Sequence, residues 1–213
     1  MSEVKFDSRH DELKPRFRAS LLVVPCVVVI LACLNRLLEG PFYLLGRADS
    51  DYAYLLSSLN LLHFSSPEFV DHPGTPLQEL SAVVLFVRWF LTEFISNGDS
   101  LDHAVISDPE AYLIAIQTTL SVLVAGSLYV LGWVVCRRTG GNRLAGVAAQ
   151  FVFLLSPNLL AQIGRVTPES LVIAIGLLIS SCLVDTVSDD LDDSTGDRRR
   201  SATFAGSLIG LGL

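Results

Sequence analysis

Residues 111–136 form a run of 26 positions without a single charge. About 20 apolar residues are enough for a helix to cross the hydrocarbon of a bilayer, so this block restricts the fold more than any other feature. Residues 144–164 add a second uncharged run and 170–184 a third, while 19–38 reads as an earlier span. Of the 213 residues, 51% are hydrophobic and 17% charged, against about 25% charged in soluble domains. In lipid every backbone polar group has to be satisfied within its own segment or within a closed barrel. The expected fold is therefore all-α, a polytopic integral membrane protein.

The formal net charge is −7 and comes from acidic loops, which argues against nucleic acid as a partner. Cys26, Cys33, Cys136 and Cys182 all lie inside apolar blocks with no CxxC spacing. They read as small hydrophobes rather than disulfides or metal ligands. The first apolar run follows a charged head, residues 1–18, and lacks a small-residue cleavage site, so it reads as a retained signal anchor. The last residues, LIGLGL, lie inside a hydrophobic run that starts near Ser201. The chain therefore reads as the N-terminal part of a longer protein.

The most unusual stretch is 47–80, RADSDYAYLLSSLNLLHFSSPEFVDHPGTPLQEL, which crowds Asp49, Asp51, Glu68, Asp71 and Glu79 with His63 and His72 between apolar runs. A charge drawn toward lipid is costly unless a polar cavity holds it. Within 49–63, Tyr52, Leu55, Leu59 and Leu62 recur at helical spacing, which predicts a helix lying on the membrane. Asp49 and Asp51 open that helix, where carboxylates suit the dipole, and either alone reads equally well as a cap. The turn Asp71-His72-Pro73-Gly74-Thr75-Pro76 is stiff, and Pro76 can open the next helix. That helix, 77–95, is apolar but broken by Glu79, Arg88 and Glu93.

Charge placement decides whether 77–95 crosses. If it stays at the outer interface, Lys5, Arg9, Lys14, Arg16 and Arg18 lie in the cytoplasm with Arg137, Arg138, Arg143 and Arg198–Arg200, eleven of the 15 basic residues. If it spans, only six do. The positive-inside bias favours the first arrangement. The outer loop is then 39–110, the membrane module 19–213, and the acidic segment 185–200 a cytoplasmic linker. The same topology brings Arg165 and Glu169, in GRVTPESLVIAIG, to the outer side with Asp49, Asp51 and Asp71.

The order of these features resembles the GT-C superfamily of lipid-linked-sugar glycosyltransferases. The nearest likeness is to the protein O-mannosyltransferases and the aminoarabinose transferases. ADSDYAYLLSSLNLL is similar to the acidic motif and aromatic helix after their first span. DHPGTPLQEL is similar to their His-Pro turn and surface helix, and Arg165 before Glu169 to their later Arg-acid pair. The turn here lacks adjacent prolines, and Glu169 stands where the family often has Asp. The acidic motif fits DSD in two phases, so Asp49 and Asp51 both remain candidates, with Asp51 narrowly favoured.

The resemblance implies a GT-C-like helical bundle with juxtamembrane helices in the first loop, in a bacterial or archaeal cell membrane; the basic head puts the N-terminus in the cytoplasm. The resemblance also implies inverting transfer of a sugar from a polyprenyl phosphate to a hydroxyl of a lipid, glycan or protein acceptor. A donor that already carries its phosphate leaving group needs no Gly-rich nucleotide loop, and none is present. It needs a carboxylate base, here Asp51 or Asp49 with Glu169 as second acid. It also needs a cation for the departing phosphate, Arg165 or Arg47. His72 and Asp71 would line the site. Some relatives hold Mg or Mn between their acids, and Asp49, Asp51 and Glu169 are oxygen donors of that kind; the expectation here is no certain metal. The fragment by itself is expected to be inactive. Two other readings predict different behaviour: a transporter or flippase-like component, whose acids bind a cation or proton, and a scaffold without catalysis. Single cysteines at Gly140 and Thr167, in a background without the native four, check the topology. Thr167 should label from outside the cell and Gly140 only from the cytoplasm; the reverse pattern would separate Glu169 from Asp51.

Overall fold

The computed structural model describes residues 15–44, 48–69, 74–95 and 98–192, and every regular element among them is helical. α1 (Pro15–Glu39) is followed by a 3-10 turn (Phe42–Leu44), then α2 (Ala48–Leu62) and α3 (Thr75–Trp89), which widens into a π turn over Phe90–Phe94. α4 (Leu101–Ser107), α5 (Pro109–Arg138), α6 (Arg143–Leu154), α7 (Pro157–Gln162) and α8 (Pro168–Asp192) complete the described chain. Three segments are long and apolar enough to cross a membrane, Ala19–Glu39, Pro109–Arg138 and Pro168–Thr186. Their outward faces carry Ile30, Leu37, Val122, Val172 and Leu183, all exposed, as suits helices whose solvent is lipid. Hydroxyls on these helices, including those of Thr118, Ser127 and Ser181, donate to the carbonyl four residues back, so they bring no unsatisfied polar group into an apolar setting.

α5 organises the rest. Asp108 caps its start by accepting from the Ala111 N–H at 3.3 Å, Pro109 supplies a preset first turn, and Arg137 and Arg138 end it where the dipole favours cations. Gly140 and Gly141, at φ 65° and 86°, reverse the chain into α6, which Asn142 caps. At this end of the bundle Arg137 and Arg138 both pair with Asp185 of α8. Sixteen residues earlier, about 24 Å along the helix, Ser121 Oγ donates to the Ile163 carbonyl at 2.9 Å. α1, α5, α6, α7 and α8 therefore form a bundle around Val28, Val124, Leu128, Phe153 and Ala174.

The first half of α5 rises beyond that bundle and carries a second core with α2, α3 and α4, including Phe42, Tyr54, Leu59, Leu85 and Ile116. α3 starts against Tyr54, where Gly74 lies edge-on to the ring, and ends with Arg88 over Tyr112 of α5 at 5.1 Å. Trp89 Nε1 also donates to the Asp99 carbonyl at 3.0 Å. α3 thus starts against α2 and ends against the first half of α5, and it is not among the helices long and apolar enough to cross. Its outer side shows an apolar stripe at helical spacing, Val83, Phe86, Val87, Phe90, Leu91 and Phe94. A contiguous patch of this kind marks contact with lipid or a partner surface.

The uncharged run 144–164 is not one continuous helix. α6 stops at Leu154 and α7 begins at Pro157, because proline has no N–H to continue the ladder and disfavours helical geometry at Ser156. Another proline explains where a buried amide donates. Pro25 lies four residues after Leu21, so the Leu21 carbonyl has no helical N–H to accept from. Gln150 of α6, wholly buried, donates Nε2 to that carbonyl at 3.0 Å and to Leu128 O at 3.1 Å. Gly132 leaves the space for it, since a Cβ there would collide with the amide. Gln150→Leu should lower stability by about 1–2 kcal/mol. Pro25→Ala should recover part of that loss by restoring a donor for Leu21; a double-mutant cycle in detergent-unfolding measurements checks the coupling.

Candidate functional site

Where α1 ends, α2 begins and α7 hands over to α8, the structure gathers Arg36, Glu39, Asp51 and Arg165. Asp51, in the first turns of α2, is only 5% exposed, and its Oδ1 accepts the Val166 N–H at 3.1 Å. That amide is free to donate because it lies in the short non-helical link before Pro168, where the next helix has not begun its own ladder. The link is itself held in place. Ile163 O accepts from Ser121, the Ser170 hydroxyl donates to Gln162 O at 2.9 Å, and Gly164 packs directly on Asn35 of α1.

Two guanidiniums face this carboxyl. Arg165, next to the amide that Asp51 accepts, points NH2 toward Glu39 Oε1 at 3.6 Å, while its buried Nε has no hydrogen-bond partner. Arg36, one turn before the end of α1, is 8% exposed and stacks on the Phe42 ring at 3.6 Å, and neither of its terminal nitrogens has a hydrogen-bond partner. Glu39 Oε2 is also buried without a partner. Burial raises the Asp51 carboxyl from its ordinary value to about 6, against the lowering effects of the Val166 N–H and the charges of Arg165 and Arg36; Glu39 pushes the same way as burial.

The wall around this group is aromatic. Glu110, in the first turn of α5, accepts the Phe42 N–H at 3.0 and 3.2 Å and the Tyr52 hydroxyl at 2.7 Å. Burial and that bond push the Tyr52 phenol up to about 12. Tyr54, one turn beyond Asp51, is buried, and its phenol is raised first by burial, then by the charges of Glu169 and Asp51.

Of the residues singled out from sequence, Asp51, Arg165 and Glu169 thus fall in one neighbourhood, with Glu169 exposed in the first turn of α8. Arg47, Asp71 and His72 lie outside the described residues. So does the side chain of Asp49, whose backbone belongs to α2. His63 and His103 are surface groups paired with Asp102 and Asp99. Among the described residues no three His, Cys, Asp or Glu side chains converge as a metal site. The groups facing Asp51, two guanidiniums and the Glu39 carboxyl, suit an anion better than a cation.

Arg36, Glu39, Tyr52 and Glu110 were missed. A signal existed: Arg36 and Glu39 stand three apart at the end of an otherwise apolar span, the place for charges that work at a boundary. Asp51 itself offers a test. Folded, it keeps its proton to about pH 6; unfolded, it releases it near 4. Its contribution to stability is therefore full below about pH 4 and is lost as pH rises through about 6. Asp51→Asn keeps an oxygen for the Val166 N–H and carries no charge. It should be more stable than wild type at pH 7.5, by about 1–3 kcal/mol, with the gain gone by pH 4; thermal unfolding at the two pH values checks this. No family model, curated protein or solved structure matches this chain, so the reading of the site rests on its own geometry and chemistry.

Proposed function

We propose that this chain carries the base and the leaving-group cations of a membrane glycosyltransferase that uses a polyprenyl-phosphate sugar. The observation that supports it is the Asp51 carboxyl, buried and raised to about 6, beside two arginines whose nitrogens are incompletely bonded. A general base works best with a pKa near the operating pH. A phosphate released from an anomeric carbon needs cations already in place. In the proposed step an acceptor hydroxyl attacks the anomeric carbon from the face opposite the phosphate. Its proton passes to the Oδ2 of Asp51, and the carbon–oxygen bond to phosphate breaks with its electron pair leaving on the phosphate. Arg165 and Arg36 offset the charge that develops there, the configuration inverts, and no bond to the enzyme forms. On this reading α1, α5 and α8 cross a cell membrane and the cluster lies at its outer face. Glu169 and Tyr54 border the acceptor side.

A second reading is a purely structural one, favoured by the hydrogen bond from Val166: Asp51 would simply lock α2 to the link before α8. The same substitution separates the two. In membranes containing the native chain, Asp51→Asn preserves the acceptor oxygen but not the base, so sugar transfer should fall by about 10²–10⁴-fold while the fold is kept. The wild-type rate should also lose its activity below about pH 6 as the carboxyl protonates. Undiminished transfer in Asp51→Asn would leave only the structural role.

A further inference from the structure

α1 and α5 pack directly against each other, and α6 lies across one side of the pair, where Gln150 donates to Leu21 O of α1 and Leu128 O of α5. Another side of the pair is open. A furrow of about 560 Å³ runs along it, with Leu22, Pro25, Cys26 and Val29 on one wall and Val122 and Gly126 on the other, and no charged residue lines it. The two glycines of α5 divide between these sides. Gly132 faces α6 and leaves room for the Gln150 amide. Gly126, six residues earlier and about 120° round the helix, is exposed, and a Cβ on it would meet nothing within 4 Å. A glycine inside a helix is unfavourable to the helix, and what it supplies is close approach of another backbone. Among the described residues nothing uses that approach.

The chain after α8 has a segment of matching character. Residues 201–213, SATFAGSLIGLGL, carry no charge, and Ala202, Gly206 and Gly210 recur at intervals of four. In a helix that spacing puts small residues on one face, the pattern by which apolar helices approach closely. The topology agrees. Leu21 of α1 packs on Cys136 near the end of α5, and α8 returns to the same end of the bundle, where Asp185 pairs with Arg137 and Arg138. A helix leaving from there would run parallel to α1. Arg198–Arg200 precede the segment as Arg16 and Arg18 precede the apolar part of α1, and twelve residues on from Arg18 and Arg200 stand Ile30 and Gly212. The segment therefore matches the furrow in level and covers its length, about 12 Å from Leu22 to Ile30. The connection also reaches. α8 packs on α5 and α5 on α1, two helix spacings of about 20 Å at most, and residues 193–200 extended span about 27 Å.

We propose that residues 201–213 form a helix that packs into the α1–α5 furrow, with Ala202, Gly206 and Gly210 turned toward Gly126. The assignment does not depend on the function proposed above. Cys26, exposed on the furrow wall, is a native reporter. In the full chain in membranes, with Cys33, Cys136 and Cys182 replaced by alanine, a second cysteine is placed at Gly206, Leu208 or Gly210. An oxidant then drives bridging, and mass spectrometry of the linked peptides reads it. A disulfide needs Cα atoms within about 7 Å, so Gly206→Cys or Gly210→Cys should bridge to Cys26 within one chain about tenfold more than Leu208→Cys, which falls on the far face. Thermal unfolding of each variant confirms that it is folded. Gly126→Leu fills the furrow and should abolish the bridge. In the chain with its native cysteines it should also lower the unfolding temperature, by evicting the segment. In a furrow open to lipid the same substitution would raise that temperature, because leucine is the better helix former. Equal bridging from all three positions would mean that no one face is presented, absence of bridging would leave the furrow to lipid, and bridging between chains would assign it to a second copy. Each of these results, or a higher unfolding temperature in Gly126→Leu, overturns the proposal.

Discussion

The hydrogen bond from the Val166 amide to Asp51 joins the two parts of this molecule. On one side is a helical layer built from the first connection, α2 to α4; on the other is the link between α7 and α8, the latter long and apolar enough to cross a membrane. A carboxyl taken out of water loses hydration that one amide does not replace. Arg165 and Arg36 restore part of it, yet the carboxyl still holds its proton well above the ordinary range. The site is therefore kept at a cost to stability, as strained or desolvated functional groups often are. A neutral amide in the same place would satisfy Val166 more cheaply, so the presence of the acid asks for a role that an amide cannot fill.

The rest of the architecture serves that junction. α5 is long because it belongs to both layers: its second half packs in the bundle and its first half carries Glu110 and Tyr112 under α2 and α3. Glu110 fixes Phe42, Phe42 covers Arg36, and the covered guanidinium stays beside Asp51 with its terminal nitrogens unspent. At the opposite end Asp185 holds the last turn of α5, and Gln150 answers the carbonyl that Pro25 leaves open. The exposed ladder from Val83 to Phe94 gives the outer layer an apolar side of its own. On the proposed function that side would rest in the outer leaflet, holding the site at the level where a lipid-borne phosphate arrives.

Much of the helical outline was legible because its cause is local. The uncharged runs and the proline at the start of a helix, as at Pro76, act within a few residues. The three charges in 77–95 also foreshadowed that α3 is not among the helices long and apolar enough to cross a membrane. The break at Ser156–Pro157 was not weighted enough against the length of the apolar run. Arg36 was overlooked for a different reason. An arginine near the end of a span ordinarily reads as one that reaches for water, and only the fold shows that Phe42 closes over it. Glu110 was hidden because its partners, Phe42 and Tyr52, are about sixty residues away in sequence. Pairings of that range come from tertiary packing, which periodicity does not encode.

The account stands on the state of one carboxyl. Carbon-13 labelling of aspartate, with the side-chain resonances followed from pH 4 to pH 8 in nanodiscs, measures it directly, and Asp51→Asn identifies the signal. The account predicts one aspartate titrating near pH 6 that vanishes in that variant. An Asp51 signal already ionised near pH 4 would mean a solvated carboxyl, and neither the buried junction nor the base proposed for it would survive.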